Sequence, residues 1–182
     1  WDRVHVFQVD ERVAPLGDPA RNLTQLHDCL LTHVPLRAEQ VHAMPVEQAD
    51  LDAASRSYAA VLCANVGTPP VLDLVHLGLG VDGHTASLVP GDPSLEALDA
   101  EVTPAGPYQG RRRMTLTFPA IDRARRVLWV VTGASKAAML QRLLAGDRTI
   151  PAGRVRQDRA MLIADRAAGP RAEDSCLVPA LR

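Results

Sequence analysis

Val71-Leu72-Asp73-Leu74-Val75-His76-Leu77 runs directly into Gly78-Leu79-Gly80-Val81-Asp82-Gly83-His84-Thr85-Ala86-Ser87-Leu88. The first seven residues are apolar except for Asp73 and His76, the pattern of a strand in the middle of a parallel sheet. The turn that follows spends three glycines in six residues and holds an aspartate and a histidine two positions apart. In α/β sheets ligands bind beyond the carboxyl ends of strands, so this junction predicts both the fold class and the place of a site.

Outward from it, alternation over residues 3–9 predicts a strand, and apolar residues at helical spacing (Leu23, Leu26, Leu30, Val34) predict a helix over 19–34. A short strand is expected at 41–44, and an alanine-rich helix at 50–66 that ends at Gly67 and the Pro69-Pro70 pair. Residues 90–109, rich in Pro and Gly, read as loop. Strands are expected at 113–117, 126–132 and 161–164, with a helix at 134–144. Alternating strands and helices describe one α/β domain over residues 1–182, a Rossmann-like layered fold with a mainly parallel sheet flanked by helices.

Composition narrows the function. The 182 residues carry 20 Lys and Arg against 21 Asp and Glu, so no basic field points to nucleic acid. Aromatic residues make up 3% of the chain, too few for a platform that stacks bases or sugars. The longest stretch without a charged residue, 57–72, contains Asn65, Gly67, Pro69 and Pro70 and cannot span a membrane. The start shows no secretory signal, and Cys29, Cys63 and Cys176 are odd in number and far apart. They suit reduced cytoplasmic thiols better than disulfides or a metal site. Arginine outnumbers lysine nineteen to one. Codon drift toward Arg accounts for most of that ratio, but Lys136, the one lysine, falls where a compact ammonium has a use.

Three chemically capable clusters follow three expected strands. Asp10-Glu11-Arg12 follows 3–9, with Arg21-Asn22 at the head of the next helix; a charged loop that caps that helix would look the same. The second cluster is the glycine-rich turn. Gly78, Gly80 and Gly83 fit G-x-G-x-x-G, but Pro90 and Gly91 end any helix within two turns and no second strand follows, so a dinucleotide fingerprint is rejected. What remains is Asp82 beside His84, a residue able to act as a base near neutral pH. The third is Gly133-Ala134-Ser135-Lys136-Ala137. Ala137 stands where a nucleophile elbow needs glycine, and a lysine in a first helical turn opposes the helix dipole unless an anion binds there. Arg111-Arg112-Arg113 adds cations, at least one of them simply solvated. Together these predict a small anionic, phosphorylated substrate.

These residues resemble a family. Residues 77–91 are similar to the signature loop of 6-phosphogluconolactonases, and Asp10-Glu11-Arg12 with Pro15 and Arg21-Asn22 resembles that family's first motif. Arg113-Met114-Thr115-Leu116-Thr117, Gly133 with Lys136-Ala137, and Ile150-Pro151-Ala152 resemble its later motifs in the same order. The resemblance implies the fold of the sugar-phosphate isomerases and deaminases. It also implies hydrolysis of 6-phospho-D-glucono-1,5-lactone to 6-phosphogluconate in the pentose phosphate pathway, with no cofactor and no metal. The related deaminases carry a glutamate five residues after the signature histidine. Here that position is Val89, which cannot move protons and favours the lactonase over the deaminase. The resemblance further implies that an N-terminal strand and a Gly-Gly-Ser/Thr phosphate loop are absent from this chain, a truncation expected to expose apolar sheet surface. A non-catalytic homologue that associates through that surface is the remaining alternative.

The expected roles follow. His84 is the general base, and Asp82 or Asp10 orients it. Backbone N–H groups from Gly80 to Gly83 hold the oxyanion. Arg12, Arg21, Asn22, Arg113 and Lys136 hold phosphate and hydroxyls. The partner is a phosphosugar lactone, with neither nucleic acid nor membrane involved, and the chain is expected to be a cytoplasmic monomer or weak homodimer.

Overall fold

A computed structural model describes residues 1–169; Cys176 lies outside them. Two parallel sheets and one antiparallel sheet make up the fold, with helices packed against them. Parallel pairing joins β1 (Val6–Phe7) to β3 (Val41–His42), and β4 (Val75–Leu77) to β7 (Val127–Val131) to β8 (Ala160–Ala164). The antiparallel sheet has the order β2 (Asp10–Arg12), β6 (Arg111–Leu116), β5 (Val102–Tyr108). Alternation buries Val75 and Leu77 of β4 and Val127, Trp129 and Val131 of β7 on one face, where they join a single core with Leu62, Met114 and Leu140. On the other side Leu74, Met161 and Ile163 are each more than half exposed.

The α-helices of the described residues are α1 (Asn22–Cys29), α2 (Leu51–Val66), α3 (Phe118–Asp122), α4 (Ala137–Leu144) and α5 (Pro151–Arg154). The Asp50 carboxylate accepts from the amides of Asp52 and Ala53 and starts α2, and Gly67 ends it at φ +93°. The Tyr58 hydroxyl then reaches from α2 to the carbonyls of Gln8 (3.0 Å) and His42 (3.1 Å), pinning the helix to the end of the β1–β3 pair.

Several expectations are corrected. The strand expected over 3–9 is regular only at Val6–Phe7, and the next strand, β2, belongs to a different sheet. Gln8 is buried at the crossover. Its side chain accepts from the Met44 amide (2.8 Å) and donates to Glu11 (2.7 Å), so the chain changes sheets there. Asp10-Glu11-Arg12 is strand β2 and not the capping loop that would look the same in sequence, although Glu11 does cap the next helix. Residues 90–109, expected as loop, contain β5. Pro104 and Pro107 disguise it, and both are tolerated because β5 is an edge strand. The helix expected over 19–34 is regular only from Asn22 to Cys29, with a 3₁₀ turn at Leu31–His33. The helix over 134–144 opens as a 3₁₀ turn, Ala134–Lys136, which leaves Lys136 at the cap of α4.

Helix α1 has no capping side chain of its own. The buried Glu11 carboxylate serves instead, accepting from the amides of Asn22 (2.7 Å) and Leu23 (2.9 Å) while pairing with the buried Arg21 guanidinium at 3.1 Å. Glu11→Ala is expected to cost about 3 kcal/mol, because it uncaps α1 and leaves the half-exposed Glu47 as the only carboxylate beside the buried Arg21. Urea denaturation measures it.

His42 lies between Phe7 and His5, stacked on the first at 4.2 Å and 3.0 Å from the second by ring nitrogens. Burial and the neighbouring His5 both hold its pKa below the ordinary histidine value. A depressed folded pKa means that unfolded chains bind more protons as pH falls. Stability should therefore be full above about pH 6.5 and decline below it. His42→Phe should flatten that part of the denaturation-midpoint profile.

Candidate active site

Beyond the carboxyl end of β4 the chain turns through Gly78 to Gly83 and delivers His84. The Gly80 N–H donates to the His84 carbonyl (2.8 Å) and the Gly83 N–H to the Gly80 carbonyl (3.1 Å), closing the turn. Of the N–H groups from Gly80 to Gly83 expected to hold an oxyanion, those of Gly80 and Gly83 are thus spent within the loop. The His84 ring packs directly on the Gly80 backbone. A Cβ at residue 80 would overlap the ring, and would come within 2.6 Å of the Asp82 carboxylate. Gly83 turns at φ +83° against Ile150, where a Cβ would stand 2.7 Å from the isoleucine Cβ.

His84 Nδ1 lies 2.6 Å from Asp82 Oδ1. The same oxygen accepts from the His84 amide (3.2 Å), and Oδ2 accepts from the Tyr108 hydroxyl (3.1 Å). Burial works against the Asp82 charge, but these hydrogen bonds outweigh it and hold its pKa below the usual carboxylate value. The carboxylate accepts at Nδ1, so the ring proton is assigned there and Nε2 keeps its lone pair.

His84 lines a cleft of about 230 Å³. Asp10, Arg12 and Asn22 line it from β2 and the start of α1, Arg113 from β6, and Lys136 from the cap of α4; Gly80 forms part of its floor. The imidazole and the lone lysine, 52 positions apart in sequence, share one pocket. Asp10 does not orient His84. Its oxygens accept from Asn22 Nδ2 (3.1 Å) and Ser87 Oγ (2.7 Å). Burial pushes its pKa up, against the Ser87 hydrogen bond and the charges of Arg12 and Arg113. Arg113 is buried, and burial followed by the nearby Arg12 lowers its pKa. The Nε groups of Arg12 and Arg113 are buried with no partner, the condition that a bound anion relieves.

Arg21 is corrected. It is buried and absent from the cleft wall, and its Nη1 donates to the Ala14 carbonyl (3.0 Å) and to Glu47 (2.5 Å). Gly83 also lies off the wall and acts on the turn alone. Among the described residues no three His, Cys, Asp or Glu side chains converge as metal ligands.

Residues 1–164 match the family described as glucosamine-6-phosphate isomerases/6-phosphogluconolactonase. The chain belongs to this family. The 6-phosphogluconolactonase of Synechocystis sp. is 38% identical over 149 residues, covering 80% of this chain and 62% of that protein. That of Mycobacterium tuberculosis is 37% identical over 180 residues, covering 92% and 73%. The crystal structure of 6-phosphogluconolactonase from Thermotoga maritima superposes with a TM-score of 0.79 at 28% identity, over 90% of this chain and 73% of that one.

Two residues of the site escaped the sequence reading. Ser87 stands in the signature run and looks like any small residue there, while Tyr108 sat in the segment read as loop. A tyrosine in a chain with only two, next to a Gln-Gly turn, was the available signal.

The glycines differ in a way that can be measured. Gly80→Ala should destabilise the protein by about 2 kcal/mol through overpacking and displace His84. Gly78→Ala, with nothing within 4 Å of its Cβ position, should be neutral or slightly stabilising. Urea midpoints of the two variants, measured side by side, test the contrast.

Proposed function

We propose that this cleft hydrolyses 6-phospho-D-glucono-1,5-lactone to 6-phosphogluconate with His84 as general base. The observation that carries the reading is His84, paired with Asp82 at 2.6 Å, on the wall of a cleft that also holds Arg12, Arg113 and Lys136. His84 Nε2 takes a proton from water as the water oxygen bonds to lactone C1, and the carbonyl electrons move onto oxygen. As the tetrahedral intermediate collapses, the C1 to ring-oxygen bond breaks and the imidazolium returns its proton to that oxygen. Asp82, held ionised, stabilises the imidazolium between the two transfers. A lactone is an activated ester, so no covalent nucleophile is required.

Arg12, Arg113 and Lys136 hold the phosphate and the developing negative charge. Arg21 keeps a structural part only. Asn22 fixes Asp10, which stands ready to accept hydrogen bonds from sugar hydroxyls. Val89 is buried and offers no carboxylate for the ring opening expected of a deaminase. No helix among the described residues is long and apolar enough to cross a membrane, and with the free thiols Cys29 and Cys63 this fits an enzyme of the cytoplasm.

The test is hydrolysis of freshly generated lactone, followed by proton release in weak buffer. The chain should exceed the spontaneous rate. His84→Ala should lose about 10²–10⁴-fold in kcat with an unchanged far-UV circular dichroism spectrum. A wild-type rate equal to the buffer blank, or full turnover in His84→Ala, refutes the reading.

A further inference from the structure

We infer that Tyr108 is a positioning residue for the His84–Asp82 pair, acting through the second carboxylate oxygen of Asp82. The inference rests on the hydrolytic reading above and adds a residue to it. Asp82 meets His84 through Oδ1 alone, which serves both the ring and the backbone amide. A carboxylate held on one side rotates freely about its last torsion, whose energy profile is broad and two-fold. The Tyr108 hydroxyl, 3.1 Å from Oδ2, supplies the second anchor. Its ring meets the His84 ring edge-on, with centroids 5.2 Å apart at 64°, and so limits the tilt of the imidazole. The Arg113 guanidinium lies 5.0 Å from the centre of the same ring. One side chain thus touches the base, its carboxylate partner and a cation of the cleft.

The backbone is arranged to put it there. Tyr108 ends β5 beyond a shift in the β5–β6 register after Ala105, a feature that re-aims side chains beside active sites. The shift depends on Gly106, at φ +85°, where a Cβ would stand 2.8 Å from the Tyr108 amide. Gln109 and Gly110, both at positive φ, then close a two-residue hairpin onto Arg111. Burial and the Asp82 charge raise the Tyr108 pKa, so the hydroxyl keeps the proton it donates.

Tyr108→Phe keeps the ring and removes only the hydroxyl. It should lower kcat about tenfold, the scale of one hydrogen bond to a charged group, with KM within twofold. In an Asp82→Asn background the same change should cost less than twofold, because the group through which it acts is already altered. In proton NMR the low-field Nδ1–H resonance of His84 should move upfield or vanish in Tyr108→Phe. An unchanged His84 resonance, or a kcat loss equally large in the Asp82→Asn background, overturns the inference. If wild-type protein does not hydrolyse the lactone, the functional reading falls, and the resonance alone decides the role of Tyr108.

Discussion

Glu11 holds a buried carboxylate at the junction of β2 and α1, where N–H groups from Gln8, Arg12, Asn22 and Leu23 all point at it and Arg21 lies alongside. A lone charge in that position would be prohibitive. Surrounded in this way it becomes a fastening that sets the angle of the strand against the helix. The consequence for the site follows from alternation. In a three-residue strand, a middle side chain turned inward forces both neighbours onto the opposite face. Asp10 and Arg12 reach the cleft because Glu11 does not, and Asn22 reaches it because its own amide is held by Glu11.

The same alternation continues across the ladder. Arg12 stands opposite Arg113 and Asp10 opposite Thr115, and residues directly opposite share a face. Two guanidinium groups facing each other across a ladder repel, and here each also has a buried Nε without a partner. The Asp10 carboxylate lies near both and offsets part of that repulsion, and a bound anion would offset more. This agrees with the phosphorylated substrate proposed above.

Legibility from sequence was highest where one physical rule acted alone. The helix capped by Asp50 and the β7 strand each obey a single pattern and stand close to where it puts them, while the strand expected over 71–77 is regular only at Val75–Leu77. The reading failed where tertiary contacts override local pattern. Nothing in residues 3–9 marks Gln8 as a crossover, because its partners, the Met44 amide and the Glu11 carboxylate, lie in other elements. Prolines in β5 suppressed a strand signal that only its edge position permits. In the site, residue types announced His84, Asp82, Arg12 and Lys136, while the burial of Arg21 was invisible. Its value as a cation and its value as a counter-ion for Glu11 look identical in one dimension.

Asp10 and Asp82 show how far environment separates two copies of one residue type. Asp10 lines the cleft, Asp82 stands behind His84, and both lose water. At Asp82 the donors come from His84, twice, and from Tyr108, so the charged form wins. At Asp10 burial outweighs Ser87 and the two arginines, so the charge is held less firmly. In the proposed hydrolysis an imidazolium needs a carboxylate that stays charged, and the lowered pKa of Asp82 suits it to that part. A residue that meets sugar hydroxyls needs lone pairs more than charge, and Asp10 can offer them in either protonation state. Exchanging the two environments would leave the base beside an acid that competes for its proton. In the hydrolysis proposed above, the opposite shifts would favour His84, and not another cleft residue, as the proton carrier.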